Sequence, residues 1–339
     1  MIDHEKTKLK TFSIIFAKLK ILIKVFLYKG DLNIPSNISR WYYNTKIKGK
    51  TQQKVIFMNE FNENVGLVDR LKGILSTYYY SKKNKLPFYI HWTKPFVLTD
   101  YLIPKQYDWR INESNIHFSY LKAFPVMPYR LMRQSKIEKR LDLHIFKAMF
   151  LPIHHKELHI FTNNFLHGDK YGELFQELFK PSARLQTELN KYLSNEPYYS
   201  FSFRFMQLLG DFIDVRGEKL EGKERELLLE KCLKELSILL KDLPPGYKAL
   251  VASDSVTFLE EVKKLDSRIF VIPGEILHPK EALKKDQQSP YLYDKTFIDF
   301  FLIMKAEKVY RMDTGAMYAS GFPHIAALIG KKPFIIHKF

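Results

Sequence analysis

Residues 198–206 read YYSFSFRFM and residues 247–253 read YKALVAS. Both are short runs of aromatic, small and aliphatic residues, the composition of strands buried on both faces. Between them, 221–240 is rich in Glu, Lys and Leu and predicts a helix. Pro244-Pro245-Gly246 turns the chain into the second strand. The same alternation continues downstream: helix 255–265, strand 268–273 (RIFVIP), helix 296–306, strand 308–312, helix 322–330 and strand 333–337 (PFIIH). Strands alternating with helices build a mostly parallel sheet. Ligands of such sheets sit at the carboxyl ends of the strands.

Toward the N-terminus the grammar is similar but sparser. Residues 54–59 (KVIFMN) predict a buried strand, followed by a polar stretch at 60–66 (EFNENVG) and a helix over 67–82. Residues 86–92 (LPFYIHW) and 159–163 (HIFTN) predict two more strands. Residues 171–192 read as helical apart from Pro181, which marks a break or a new helix start. An α/β chain of 339 residues supports two domains. The boundary falls near 195–197, giving a basic segment 1–50 and domains 51–196 and 197–339.

The net charge is +17, and it is uneven. Residues 1–50 hold eleven Lys/Arg and three Asp/Glu, a net of +8. Such a field attracts nucleic acid, anionic lipid or phosphorylated substrates. Within it, 11–28 (TFSIIFAKLKILIKVFLY) is interrupted by Lys18, Lys20 and Lys24, which argues against a spanning helix. Ile15, Phe16, Leu19, Leu22, Ile23 and Phe26 share one helical face, with lysines roughly opposite. That pattern fits an amphipathic helix on an anionic membrane surface. It also fits a surface helix packed on the protein's own core. The single cysteine, Cys232, excludes an internal disulfide framework and a Cys-rich zinc site.

Several motifs are missing. No G-x-G-x-x-G, G-x-x-x-x-G-K-[ST] or G-x-S-x-G occurs, which argues against dinucleotide binding, P-loop chemistry and a hydrolase nucleophile elbow. No two aspartates are separated by one residue, so the short acidic motif that holds a metal against a nucleotide diphosphate is missing too. His154, His155 and His159 cluster without the H-E-x-x-H pattern, and packed or solvated histidines are the default.

Four stretches carry candidate chemistry. Arg204 sits late in an apolar strand, either as a fork gripping phosphate oxygens or as a salt bridge to Asp211 or Asp214. Ser253-Asp254-Ser255 closes the next strand and opens a helix, with Ser253 or Asp254 as its N-cap, or with the group as a polar cluster at the ligand end of the sheet. Ser320, Gly321 and Phe322 open a helix whose free N–H groups can receive an anion, or are ordinary capping with Pro323 at the helix start. Residues 66–73 (GLVDRLKG) open the first helix, with Asp69 suited to its dipole and Arg70 read as solvated.

The order of these stretches resembles the GDP-fucose-dependent fucosyltransferase superfamily over roughly 54–335, most clearly after Tyr198. GLVDRLKG, FSFRFMQLLGDF, VASDS and KTFIDFFLIMKAEKVYRMDTGAMYASGFPHIAALIG follow in the family's sequence. The resemblance implies a GT-B-like fold of two Rossmann-like domains facing across a cleft, with GDP-fucose bound mainly by the C-terminal domain and no required metal. By position it implies that Arg204 contacts the GDP β-phosphate and that Asp299 is associated with guanosine. It also places Ser320, Gly321 and Phe322 in the phosphate- and nucleotide-binding turn, and Asn64 and Gly66 in a cleft-facing loop. Ser202 stands where the family's H-x-R histidine is usual; it keeps a hydrogen-bonding group but cannot stack or titrate.

The implied chemistry is fucosyl transfer with inversion, through an oxocarbenium-like transition state. Negative charge grows on the departing GDP, and fixed cations and helix N-termini offset it. A carboxylate deprotonates the acceptor hydroxyl; Glu60, Glu63, Asp69, Asp211 and Asp214 are candidates, with Asp211 favoured because it follows the arginine strand. The expected role is a glycosyltransferase of cell-surface polysaccharide or glycolipid synthesis. Its acceptor would be a glycan or lipid-linked glycan, and its place the cytoplasm, peripheral on the inner membrane face. Two alternatives stand beside it: a relative with a different nucleotide-sugar donor, marked by Ser202, and a basic nucleic-acid-binding protein, which no recognition motif supports.

Overall fold

A computed structural model describes residues 40–43, 52–59, 66–119, 121–126, 157–163, 165–193, 195–211, 219–274, 276 and 291–339. The amphipathic stretch 11–28, with Glu60, Glu63, Asn64, His154, His155 and Asp214, lies outside them. Among the described residues no helix is long and apolar enough to cross a membrane.

The chain divides into two compact units. The first takes in 1–62, 69–92 and 108–167; the second takes in 63–68, 93–107 and 168–339. In the first, strands β1 (Lys54–Met58), β2 (Phe88–His91), β4 (Ala123–Val126) and β5 (Glu157–Ile160) form a parallel sheet in the order β2-β1-β5-β4. Val55, Ile56, Phe57 and Met58 are all buried, as a central strand with helix and core on its faces requires.

Helix α1 (Leu67–Lys83) connects β1 to β2. It lies close enough to the sheet that a Cβ on Gly73 would meet the Thr162 carbonyl oxygen at 2.0 Å. Only glycine permits that approach. Arg70, read from sequence as solvated, is instead almost fully buried, with its guanidinium 5.2 Å from the Trp92 ring centroid. The cation–π contact with the indole offsets part of the cost of burying the charge, which residue type alone does not reveal.

The second unit holds helices α2 (Tyr171–Leu178), α3 (Ala183–Asn190), α4 (Gly222–Lys241), α5 (Val256–Val262), α6 (Asp294–Lys305) and α7 (Phe322–Gly330). Its main sheet is built from β7 (Tyr198–Phe203), β8 (Lys248–Ser253), β9 (Ile269–Phe270), β10 (Lys308–Asp313) and β11 (Phe334–Lys338), all parallel. The order β9-β8-β7-β10-β11 is the 3-2-1-4-5 order of a Rossmann half. Its strand order reverses between β7 and β10, and ligands of such sheets bind outside the carboxyl ends at that reversal.

One face of this sheet carries Phe201, Phe203, Val251 and Met312 into the main core. Helix α4 supplies Leu228, Cys232, Leu236 and Leu240 at four-residue steps, leaving its Glu and Lys outside. The helical stretch does break at Pro181, and a new helix starts just after it at Ala183 with Ser182 as its N-cap; the break itself is a short strand, β6 (Phe179–Pro181), paired antiparallel with β3 (Leu102–Pro104). Proline is tolerated at such an edge because the pairing does not need its missing N–H.

Candidate functional site at the carboxyl end of the second sheet

Ser202 is the penultimate residue of β7, and Arg204 follows the strand's end. Arg204 Nη1 lies 3.1 Å from Asp254 Oδ2, with the Asp254 side chain fully buried and the Arg204 side chain 23% exposed. Among the described residues Arg204 thus pairs with Asp254, at the end of the adjacent strand β8; Asp211, nearer in sequence, is engaged by the start of α5. The Asp254 carboxylate also accepts the N–H of Phe205 at Oδ1 and of Met206 at Oδ2, each at 2.8 Å. Burial raises the Asp254 pKa, against the pull of the Arg204 charge and of the two backbone donors.

Met206 has φ 57°, a left-handed conformation that a non-glycine residue adopts at a cost. The Asp254 clamp on its N–H holds that turn. Strain of this kind persists only where surrounding contacts over-determine it. Its consequence here is directional: the turn takes the chain sharply away after β7, leaving the Arg204 side chain at the strand's carboxyl end.

Asp211 has a different setting from the one its sequence position suggests. Its Oδ2 accepts from the Ser255 hydroxyl and, at 3.2 Å, from Thr257 N. Its Oδ1 accepts from Thr257 Oγ1 at 2.8 Å. Both oxygens are committed to the N-terminus of α5, where a carboxylate favours the helix dipole. The N-cap is Ser255, whose hydroxyl accepts from Phe258 N at 3.0 Å. Ser253 Oγ accepts from Ser255 N at 3.1 Å. Capping thus falls to Ser255, with Ser253 and Asp211 in support, which leaves Asp254 for Arg204.

The loop after β10 closes on the same place. The Tyr318 N–H donates to the Arg204 carbonyl at 3.1 Å, and the Ser320 N–H to the Tyr318 carbonyl at 2.7 Å. Ser320 Oγ accepts from Phe322 N at 3.2 Å. Helix α7 therefore begins beside the end of β7, with Pro323 in its first turn. A Cβ added at Gly321 would meet nothing within 4 Å.

Asp299 lies on α6, buried, with Oδ2 2.9 Å from Lys295 Nζ. The same ammonium donates to the Ile272 carbonyl at 2.9 Å. Asp299 Oδ1 is buried with no hydrogen-bond partner among the described residues. Burial raises the Asp299 pKa, with Lys295 opposing. Gly66 directly precedes α1, again with open space at its Cβ position.

The structure thus brings Ser202, Arg204, Ser253, Asp254 and the Ser320–Phe322 turn to one end of one sheet. Sequence reasoning missed Asp254 as the Arg204 partner and missed Lys295, whose i,i+4 spacing to Asp299 on a helix was the available signal.

The first unit has a polar network of its own. Glu157 accepts from His117 N at 2.9 Å and from His159 Nε2 at 3.0 Å through Oε2; its Oε1 faces His117 Nδ1 at 2.6 Å and Lys54 Nζ at 2.9 Å. His159 Nδ1 pairs with the Tyr42 hydroxyl at 2.7 Å. Glu157 and Lys54 open their strands, so this network sits at the amino end of the sheet, away from the end where such sheets bind ligands. His159 is a packed core histidine whose pKa burial lowers, against Glu157. Among the described residues no group of three or more His, Cys, Asp or Glu side chains is placed to hold a metal ion.

No protein-family model and no curated protein sequence matches this chain. Solved structures do. A NodZ α-1,6-fucosyltransferase soaked with GDP-fucose superposes with a TM-score of 0.52 at 14% identity, covering 82% of this chain and 93% of that one. Fucosyltransferase NodZ from Bradyrhizobium gives 0.50 at 13% identity, over 82% and 94%. A mutant of Arabidopsis thaliana FUT1 in complex with GDP gives 0.51 at 12% identity, over 88% and 73%. These likenesses establish a shared fold: this chain has the GT-B-like α/β architecture of the fucosyltransferase structures.

Proposed function

We propose that the protein is a glycosyltransferase that takes fucose from GDP-fucose, binding the donor at the carboxyl end of the second sheet. The observation that carries this is Arg204. Its guanidinium stands at the end of β7, beside the strand-order reversal and paired with a buried carboxylate, while its backbone carbonyl accepts from the loop that leads into α7. A guanidinium and a helix N-terminus at the same end of one sheet suit a diphosphate. Solved structures sharing the fold were obtained with GDP-fucose or GDP, which makes guanine the base to test first.

In this account GDP-fucose lies with its diphosphate against Arg204 and the Ser320–Phe322 turn. When the bond between C1 of the sugar and the phosphate oxygen breaks, charge grows on that oxygen. Arg204 is already in place to receive it, so little reorganisation is needed as the bond breaks. Asp254 is a positioning residue, since it acts through Arg204. Asp299 Oδ1, without a hydrogen-bond partner among the described residues, is an acceptor that the N–H edge of guanine can satisfy. The acceptor hydroxyl attacks C1 from the opposite side with inversion, and its proton goes to a carboxylate other than Asp211, whose oxygens serve the α5 cap. The leaving charge is met by side chains and backbone, without a metal.

The basic segment 1–50 adds an electrostatic preference for an anionic surface, which suits a lipid-linked glycan acceptor at the cytoplasmic membrane face. A different nucleotide-sugar donor is the second reading, favoured by Ser202 in the histidine position. Thermal shifts with GDP, UDP and CMP, paired with GDP release from GDP-fucose, test both. At 100 times its Kd a ligand stabilises by about 2.7 kcal/mol. A shift with GDP alone supports the proposal; a shift only with UDP or CMP overturns the donor.

A further inference from the structure

The face of the second sheet that carries Ser202 holds a cation beside the strand-order reversal that the site above leaves unused. Arg311 on β10 is in register with Ser202 on β7. Residues in register on adjacent strands share a face, with backbones about 4.8 Å apart. Ser200, two residues before Ser202, is on that face as well. Ser200 Oγ, Ser202 Oγ and Arg311 Nε are all buried with no hydrogen-bond partner among the described residues. Thr314 Oγ1, one residue past β10, is a fourth such atom.

Arg311 is only loosely held. Among the described residues its ion pair is with Asp313, Nη2 to Oδ2 at 3.6 Å, too long for a hydrogen bond. Asp313 is itself oriented from the other side, its Oδ1 accepting the Gly315 N–H at 2.9 Å. An arginine with an unused Nε donor and a serine hydroxyl nine-tenths buried, both without a hydrogen-bond partner among the described residues, thus sit in register on adjacent strands. Both belong to β7 and β10, the strands between which the order reverses. Buried polar groups in native proteins nearly always find a partner in protein, water or ligand.

Charge gives the ligand its sign. A diphosphate carries more than one negative charge, and Arg204 already shares its own with Asp254. Serine at 202 also leaves space toward β10 for a long side chain, where an imidazole would compete for it. We infer that Arg311 and Ser202 form a second anion-binding pair, taking a phosphate oxygen of a nucleoside diphosphate beside the one held by Arg204, an assignment that rests on the donor proposed above. The opposing account is that Arg311 serves only its ion pair with Asp313.

Calorimetric titration of wild type, Arg311→Gln, Arg311→Lys and Asp313→Asn with GDP, guanosine and inorganic pyrophosphate separates the two. Arg311→Gln is expected to weaken GDP and pyrophosphate by about tenfold or more, and to leave guanosine and the melting temperature nearly unchanged. Arg311→Lys keeps the charge but not the fork, and is expected to fall between. Asp313→Asn is expected to bind pyrophosphate at least as well as wild type. Wild-type affinity for GDP and pyrophosphate in both Arg311 variants overturns the pair while leaving the donor proposal standing. Wild type that binds pyrophosphate but not GDP overturns the donor, and the pair then stands or falls on pyrophosphate loss in Arg311→Gln. Wild type that binds neither overturns both. If Arg311→Gln does not fold, the lysine variant decides on the same affinities.

Discussion

Asp254 holds Arg204 and the turn that follows it with a single carboxylate: one oxygen lies 3.1 Å from the guanidinium, and the two together accept the N–H groups of Phe205 and Met206. The end of β8 thereby fixes the end of β7. Asp254→Ala removes the acceptor of one buried and one part-buried backbone donor, and an ion-pair partner of Arg204. Removing one partner of a buried pair costs about 3–5 kcal/mol, and the partial exposure of Arg204 puts this case near the lower end. Asp254→Asn, which keeps one acceptor oxygen, should lose less. Chemical denaturation of both variants checks the order; equal stability of wild type and Asp254→Ala would contradict the clamp.

Gly321 separates fold from ligand. Its φ is negative and its Cβ position is open, so Gly321→Ala should change stability by only about 0.5 kcal/mol, including a slightly poorer N-cap. If the diphosphate lies against this backbone, the added methyl intrudes on it and GDP binding weakens. A variant with unchanged melting and unchanged GDP affinity would move the phosphates away from the α7 N-terminus.

Glu157 predicts acid sensitivity in the first unit. Burial alone would raise its pKa, but hydrogen bonds from His159, His117 and Lys54 outweigh that and hold it at about 2. A folded-state pKa below the unfolded value contributes stability that is present above the unfolded pKa, 4.5, and lost as pH falls toward about 2. Glu157→Gln should therefore be less stable than wild type at neutral pH and should show a flatter stability profile between those two values. Parallel profiles across that window would remove the assignment.

Turnover should survive EDTA. The sequence lacks a paired-aspartate motif, and in the proposed donor pose Arg204 and the α7 N-terminus meet the diphosphate charge. Loss of GDP release in chelator, restored by Mn²⁺ or Mg²⁺, would contradict this arrangement.

What could be read from sequence follows from how locally each feature is encoded. Strands β7, β8 and β10 announce themselves as apolar runs, and α4 by its four-residue Leu and Cys spacing, because burial imposes a period on neighbours in sequence. The pairing of β3 with β6 is invisible, since three residues hold no period and Pro181 looks like a helix boundary. Sequence proximity points Arg204 toward Asp211 or Asp214, yet parallel strands place Asp254 beside it across an intervening helix. Arg70 reads as a polar helix residue until Trp92 is brought under it. Arg311, inside KVYRMD, becomes noticeable only when the register sets it next to Ser202.

The central claim is that Arg204 binds the diphosphate of a guanine nucleotide, and GDP titration of wild type against Arg204→Ala tests it most directly. Removing one preorganised donor from a developing oxyanion costs about 10²–10³ in rate, so GDP release from GDP-fucose on the same two proteins should fall by that factor. The account predicts a folded Arg204→Ala protein with strongly weakened GDP binding. A folded Arg204→Ala protein that binds GDP as wild type does would contradict it.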